Sequence, residues 1–225
     1  MTNKQNLILR EYSEMKNHYV NFVNMTRRSS AEADIAKNGA DVMLCEKGGK
    51  IMKMDKVAGS GNDEFYTPKY AIVPILEYVN GEATVWCPFD TEQSIYVSML
   101  KEHGCNVVAT HLSNGQDFFN MEVPKCDYII SNPPYSCKSE VFARLFEIDK
   151  PFAMLVGVVG LFESQKRFNL FKNNEFEVMY FNKRVSYLKS YEDMIPALNP
   201  PFSSVYICHK MLHKQIVFKE IIKER

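Results

Sequence analysis

The chain has 225 residues, with Lys+Arg and Asp+Glu equal at 27 each, 46% hydrophobic and 24% charged residues. That length supports one sizeable domain with a small appendage, and a formal net charge of zero argues against a large nucleic-acid footprint while leaving room for a local basic patch. Six cysteines, at 45, 87, 105, 126, 137 and 208, form no CxxC pair and no Cys/His cluster with zinc spacing, so they read as reduced thiols and no metal is expected. No signal-peptide pattern opens the chain, and the longest apolar run, Phe152 to Phe162, is too short to span a bilayer. The expectation is a cytoplasmic protein without a membrane partner.

Residues 1–61 form the first expected unit. Ile8, Tyr12, Met15, Tyr19 and Phe22 recur at helical spacing. Ser29 to Glu32 fits a capping box opening a second helix, which should stop by Gly48-Gly49. Residues 62–225 form the main domain, where strands alternate with helices. The expected order is a helix over Tyr70–Tyr78, a strand over Ala83–Trp86, a helix over Thr91–His103 ended by Gly104, and a strand over Asn106–Thr110. Then follow a strand over Asp127–Ser131, a helix over Ser139–Glu147, a strand over Phe152–Val159 and a helix over Phe168–Lys172. Two final strands cover Glu177–Phe181 and Ser203–His209. This alternation predicts a largely parallel α/β sheet with helices on both faces, and ligands in such sheets bind beyond the carboxyl ends of the strands.

The sharpest feature is Ser131-Asn132-Pro133-Pro134-Tyr135, directly after the apolar Tyr128-Ile129-Ile130. Two prolines lack backbone N–H donors and force a rigid exit from the strand. Asn132 then offers an amide oxygen, Pro133 a carbonyl oxygen and Tyr135 an aromatic face. Two acceptors gripping the two hydrogens of an exocyclic amine favour a pyramidal nitrogen with a localised lone pair, a form of electrostatic preorganisation. An aromatic beside them suits a planar base held outside its helix. The plainer reading of the same residues is a proline turn closing a strand. Asn199-Pro200-Pro201-Phe202 lacks the preceding apolar strand and reads as such a turn.

Asp127 to Tyr135 resembles the catalytic motif of the amino-methyltransferases, which include the adenine-N6 DNA methyltransferases. Phe65-Tyr66-Thr67-Pro68 resembles that family's upstream Thr-Pro motif, and Gly115-Gln116-Asp117-Phe118-Phe119 resembles the motif whose Asp receives the cofactor's adenine amino group. The stretch 62–210 is similar overall to small phage- and prophage-borne adenine methyltransferases. The resemblance implies a Rossmann-like class I methyltransferase fold: a mostly parallel seven-stranded sheet with a terminal antiparallel hairpin, plus N-terminal helices. It further implies S-adenosylmethionine as cofactor, DNA as partner, and methylation of adenine N6. Asn132, Pro133, Pro134 and Tyr135 would carry the reaction. Tyr66, Thr67, Pro68, Trp86, Pro88, Phe89, Asp90, His111, Asp117 and Phe118 would line the cofactor, with Asp90 or Glu92 facing its ammonium group.

The sequence departs from that pattern at the first cofactor loop, where Trp86 to Ser94 contains no glycine, and after the second strand, where His111 replaces an acidic residue. His111 is equally suited to cap a turn, and Asp117 is a residue type favoured at helix N-caps. Lys183, Arg184 and Lys189, interleaved with Tyr187 and Tyr191, and Lys166 with Arg167, are candidate nucleic-acid contacts or members of solvated loops. Methylation of an RNA base or of a protein glutamine amide would use the same acceptor pair. A degenerate domain binding nucleic acid without catalysis is the non-enzymatic alternative. The absence of GxGxxG after the first strand argues against a dehydrogenase.

Overall fold

The computed structural model describes residues 66–191 and 202–223. The helices expected in 1–61 and the turn at Asn199-Pro200-Pro201 lie outside the described residues. Among the described residues, four helices and seven strands follow in chain order: α1 (Lys69–Leu76), β1 (Thr84–Cys87), α2 (Ile95–Glu102), β2 (Asn106–Ala109), β3 (Tyr128–Ser131), α3 (Lys138–Ile148), β4 (Phe152–Gly157), α4 (Gln165–Lys172), β5 (Glu177–Phe181), β6 (Ser204–His209) and β7 (Ile216–Lys219). Short 3-10 turns occupy Leu112–Asn114 and Tyr135–Cys137.

The strands form one sheet in the order β2-β1-β3-β4-β6-β5-β7. β1 pairs in parallel with both β2 and β3, and β3 in parallel with β4. β6 runs antiparallel to β4 and to β5, and β5 pairs in parallel with β7. Only β6 therefore opposes the common direction. This is a Rossmann-like sheet, mostly parallel and seven-stranded, with β6 antiparallel to both of its neighbours. The chain order reverses between β2-β1 and β3-β4, which makes the carboxyl ends of β1 and β3 the topological switch point.

Alternation along the strands divides the interior into two cores. Val85, Cys87, Ile130, Leu155 and Tyr206 pack with Ile72 of α1 and Leu100 of α2 on one face. Trp86, Ile129, Met154, Val156 and Ile207 pack with Phe142 of α3 and Phe171 of α4 on the other. β4 and β6 are buried at every position, which explains their near-continuous apolar sequences. Cys87, Cys105, Cys126, Cys137 and Cys208 are buried, as expected of small apolar side chains.

Two expectations need correction. β7 is a further strand after the two taken as final; its residues, Ile216–Lys219, return beyond β5 and pair with it in parallel. Helix α2 begins at Ile95, four residues later than Thr91, because Ser94 is its cap and accepts from the Tyr96 amide at 3.2 Å. The residues between β1 and that cap are therefore free to form a loop. The helix ends as expected before Gly104, whose φ is +100° and where an added Cβ would stand only 2.6 Å from the Gly81 carbonyl oxygen.

Candidate active site

The site is built outward from the switch point. Asp90 lies in the loop after β1 and is only 6% exposed. Ser131, the last residue of β3 and fully buried, donates its hydroxyl to one Asp90 oxygen, and Ser94 donates to the other. One carboxylate thus ties the loop after β1, the start of α2 and the strand that delivers Asn132. Burial pushes the Asp90 carboxyl up to about 6, against the opposing pull of the Ser131 and Ser94 hydroxyls and of His111. Among the described residues no ion pair offsets its charge. The Tyr191 hydroxyl lies 3.2 Å from Ser94 Oγ, and burial together with the Asp90 charge raises its pKa.

The segment before α1 closes against this cluster. The Leu188 amide donates to the Tyr66 carbonyl at 2.8 Å, and the Tyr66 and Tyr191 rings meet edge to face at 4.5 Å. Tyr70 donates to the Ser186 carbonyl and accepts from its amide at 2.7 Å. These contacts fix Thr67 and Pro68, both buried, beside the residues that follow β5. The Thr67 hydroxyl is 1% exposed and has no hydrogen-bond partner among the described residues. A buried polar group without a partner costs about 1–3 kcal/mol, so it marks a place for a polar ligand atom.

Beyond Ser131, Asn132 is half-buried, with its amide oxygen shielded from solvent. Pro133 is buried and Pro134 half-buried. Tyr135 is buried rather than open. Its hydroxyl donates to Tyr187 at 2.9 Å, Phe202 packs on it edge to face at 5.7 Å, and the Lys138 ammonium sits 4.7 Å from its ring centroid. Tyr187 in turn bonds Ser204 at 2.9 Å, and burial lifts its pKa to about 12.

On the other side of β1 the residues are aromatic. Trp86 is fully buried, and its indole N–H donates to the Thr110 hydroxyl at 2.8 Å. Phe118, 3% exposed, stands 5.5 Å from Trp86 and 4.9 Å from the half-buried Phe89. Pro88 is buried. His111 caps the 3-10 turn, accepting from the Ser113 amide through Nδ1. Asp117 accepts from the Phe119 amide at 3.0 Å and from the Asn120 side chain. His111 thus caps a turn, whereas Asp117 braces the turn at 117–120 and caps no helix among the described residues.

The candidate nucleic-acid contacts divide. Lys183, Arg184 and Lys189 are exposed and follow β5, whose carboxyl end lies along the same sheet edge as that of β3. Tyr187 does not belong with them: it is fully buried and its hydroxyl is used internally. Arg167 is half-buried, donating to the Gly160 and Leu161 carbonyls and to the Ser139 hydroxyl. Lys166 is exposed and paired with Glu140 at 2.6 Å. Sequence reasoning missed Ser94 and Ser131. The available signal was a serine at each position flanking the glycine-free loop and the double proline.

No family model matches the chain, and no curated protein matches it in sequence. Among solved structures, it is similar to a protein described as the modification subunit of a type I restriction enzyme from Vibrio vulnificus, at 12% identity and a TM-score of 0.49 over 75% of this chain. The chain spans about half, 49%, of that protein's length. It is also similar to precorrin-6y C5,15-methyltransferase from Geobacter metallireducens, at 14% identity and a TM-score of 0.38 over 68% of this chain and 97% of the other. A third likeness, to a protein described as a methyltransferase from Thermoplasma acidophilum, has 16% identity and a TM-score of 0.29 over 61% of this chain and 60% of the other. At these values none of them carries an activity or substrate over to this chain. Among the described residues no helix is long and apolar enough to cross a membrane, and no group of three or more His, Cys, Asp or Glu could hold a metal ion.

Proposed function

We propose that the chain is an S-adenosylmethionine-dependent methyltransferase acting on an exocyclic amine, N6 of adenine in DNA. The observation that supports this most is the Asp90–Ser131 contact, which anchors the Asn132-Pro133-Pro134 exit to a buried carboxylate at the switch point. The residues present fit the cofactor at its amino-acid end. Asp90 is a buried carboxylate without a cation among the described residues, and the neighbouring Tyr66-Thr67 segment carries a buried hydroxyl without a partner. Asp90 would hold the ammonium group, Thr67 the carboxylate end, and Phe89 an aromatic ring of the cofactor.

When bound, the cofactor supplies an electrophilic methyl group on a sulfonium. The protein's own part is to prepare the amine. The Asn132 amide oxygen and the Pro133 carbonyl accept its two hydrogens, which draws the lone pair out of ring conjugation. The double proline holds these acceptors without reorganisation, because neither proline can slide into the ladder. Lys183, Arg184 and Lys189 would meet phosphates along the same edge.

A second reading is a nucleic-acid-binding domain without catalysis, favoured by the buried state of Tyr135 and by the close packing of Trp86 with Phe118. Incubation with methyl-labelled S-adenosylmethionine and separate DNA, RNA and protein pools decides between them. Label in DNA is expected. Label in RNA or protein alone would move the substrate and keep the chemistry. Absence of transfer, together with no thermal stabilisation by millimolar cofactor, would favour the non-catalytic reading.

A further inference from the structure

We propose that β7 is a dimerisation edge, pairing antiparallel with β7 of a second copy of this chain about a two-fold axis at Val217. β7 ends the sheet, and among the described strands it pairs only with β5. The amides of Val178 and Asn182 donate to the Gln215 and Lys219 carbonyls at 2.7 and 3.1 Å. Residues 215, 217 and 219 therefore turn their backbone groups toward β5, and Ile216 and Phe218 turn theirs outward. The side chains of these outward residues are also open: Ile216 is 51% exposed and Phe218 79%. Val217 and Ile221 face the core.

Edge strands are commonly protected by a lysine on the open side. Here Lys219 lies on the inner face, paired with Glu77 at the carboxyl end of α1 and 5.3 Å from the Tyr78 ring centroid, so the outer face keeps its apolar pair unguarded. The occupant follows from self-complementarity. A two-fold axis at Val217 sets Ile216 opposite Phe218 and Lys214 opposite Glu220, each twice. The Ile216–Phe218 pair falls at positions whose backbone groups turn outward, and Lys214 and Glu220 flank it just beyond the two ends of β7. An axis at Phe218 instead sets Ile216 opposite Glu220. An axis between Val217 and Phe218 sets outward backbone groups against inward ones. The partner's Ile216 would also cover the ring of Phe218, whose centroid lies 5.9 Å from that of Tyr180.

Sedimentation equilibrium of the full chain tests this. Wild type is expected to show a reversible monomer–dimer equilibrium at micromolar protein. Phe218→Lys and Lys214→Glu are each expected to raise the dimer dissociation constant about tenfold or more, with the circular dichroism spectrum unchanged. The double variant Lys214→Glu/Glu220→Lys is expected to recover most of the loss, because the exchange restores both ion pairs. A wild type that stays monomeric at high micromolar concentration, or single variants that dimerise as well as wild type, would overturn the proposal. A double variant no tighter than the single one would overturn the pairing.

Discussion

On one side of the carboxyl end of β1, the chain buries oxygen: Asp90, Ser94, Ser131 and the Thr67 hydroxyl, with Tyr191 behind them. On the other side it buries rings: Trp86, Phe118 and part of Phe89. Both sides satisfy close packing, but they store free energy differently. The aromatic side gains from burial, at about 25 cal/mol per Å² of apolar surface. The polar side pays to hide a carboxylate whose described hydrogen-bond donors are hydroxyls and whose pKa rises in consequence. A ligand with a cationic head can repay the second cost and has little to add to the first. Stability should therefore reside with the rings and ligand affinity with the carboxylate.

The largest expected effect tests the aromatic side. Phe118→Ala should lower unfolding free energy by about 3–5 kcal/mol, as truncation of a buried ring usually does. A denaturant titration reads this directly, and a loss under about 1 kcal/mol would remove the structural role assigned to the cluster. Next comes Asp90→Asn, which should weaken S-adenosylmethionine binding by about 100-fold, the range of a lost charge-assisted contact of 1.5–3 kcal/mol. The same variant should melt at or above the wild-type temperature at pH 8, because it removes a buried charge. Calorimetric affinity and melting temperature, taken together, break the comparison if they move in the reverse sense.

A pH series sharpens it. The folded-state pKa of Asp90, about 6, lies above its ordinary value of 3.8, so between those values the folded chain retains a proton that the unfolded chain has released. This group's contribution to stability therefore rises as pH falls through 6 and is complete below 3.8. Cofactor affinity should fall over the same window, by up to about tenfold per pH unit below 6, because a protonated Asp90 no longer attracts an ammonium. The difference between wild type and Asp90→Asn isolates the group, and a pH-independent difference in affinity would disconnect Asp90 from the cofactor. The smallest effects belong to the exposed cations. Lys183→Ala or Arg184→Ala should leave stability within about 0.5 kcal/mol and reduce the salt slope of DNA binding by about 1 each. An unchanged slope would take these residues off the DNA path.

Much of this arrangement was legible before folding. β3 and the proline exit were readable because an apolar run ending in residues without N–H donors admits few alternatives, and β4 because its continuous apolar run suits a strand buried on both faces. β5 and β6 were readable for the same reason, having bulky apolar residues bounded by turn formers. β7 was missed because Ile216–Lys219 is four residues long, lies between charged residues and buries only every second side chain. The polar network was hidden because Ser94, Ser131 and Asp90 are far apart in the chain and meet only when β1 and β3 become neighbours. Tyr187 was misassigned to the surface since a tyrosine among Lys183, Arg184 and Lys189 reads as part of a basic patch, while its burial depends on Tyr135 and Ser204.

The most direct test is the N6-methyladenine content of unmethylated DNA after incubation with the protein and S-adenosylmethionine, quantified by mass spectrometry of the digested nucleosides. Wild type should deposit N6-methyladenine, and Asn132→Ala, shown to be folded and to bind the cofactor, should do so about 10²–10³ times more slowly, the usual cost of removing one preorganised polar contact. Equal rates from the two proteins would contradict the account.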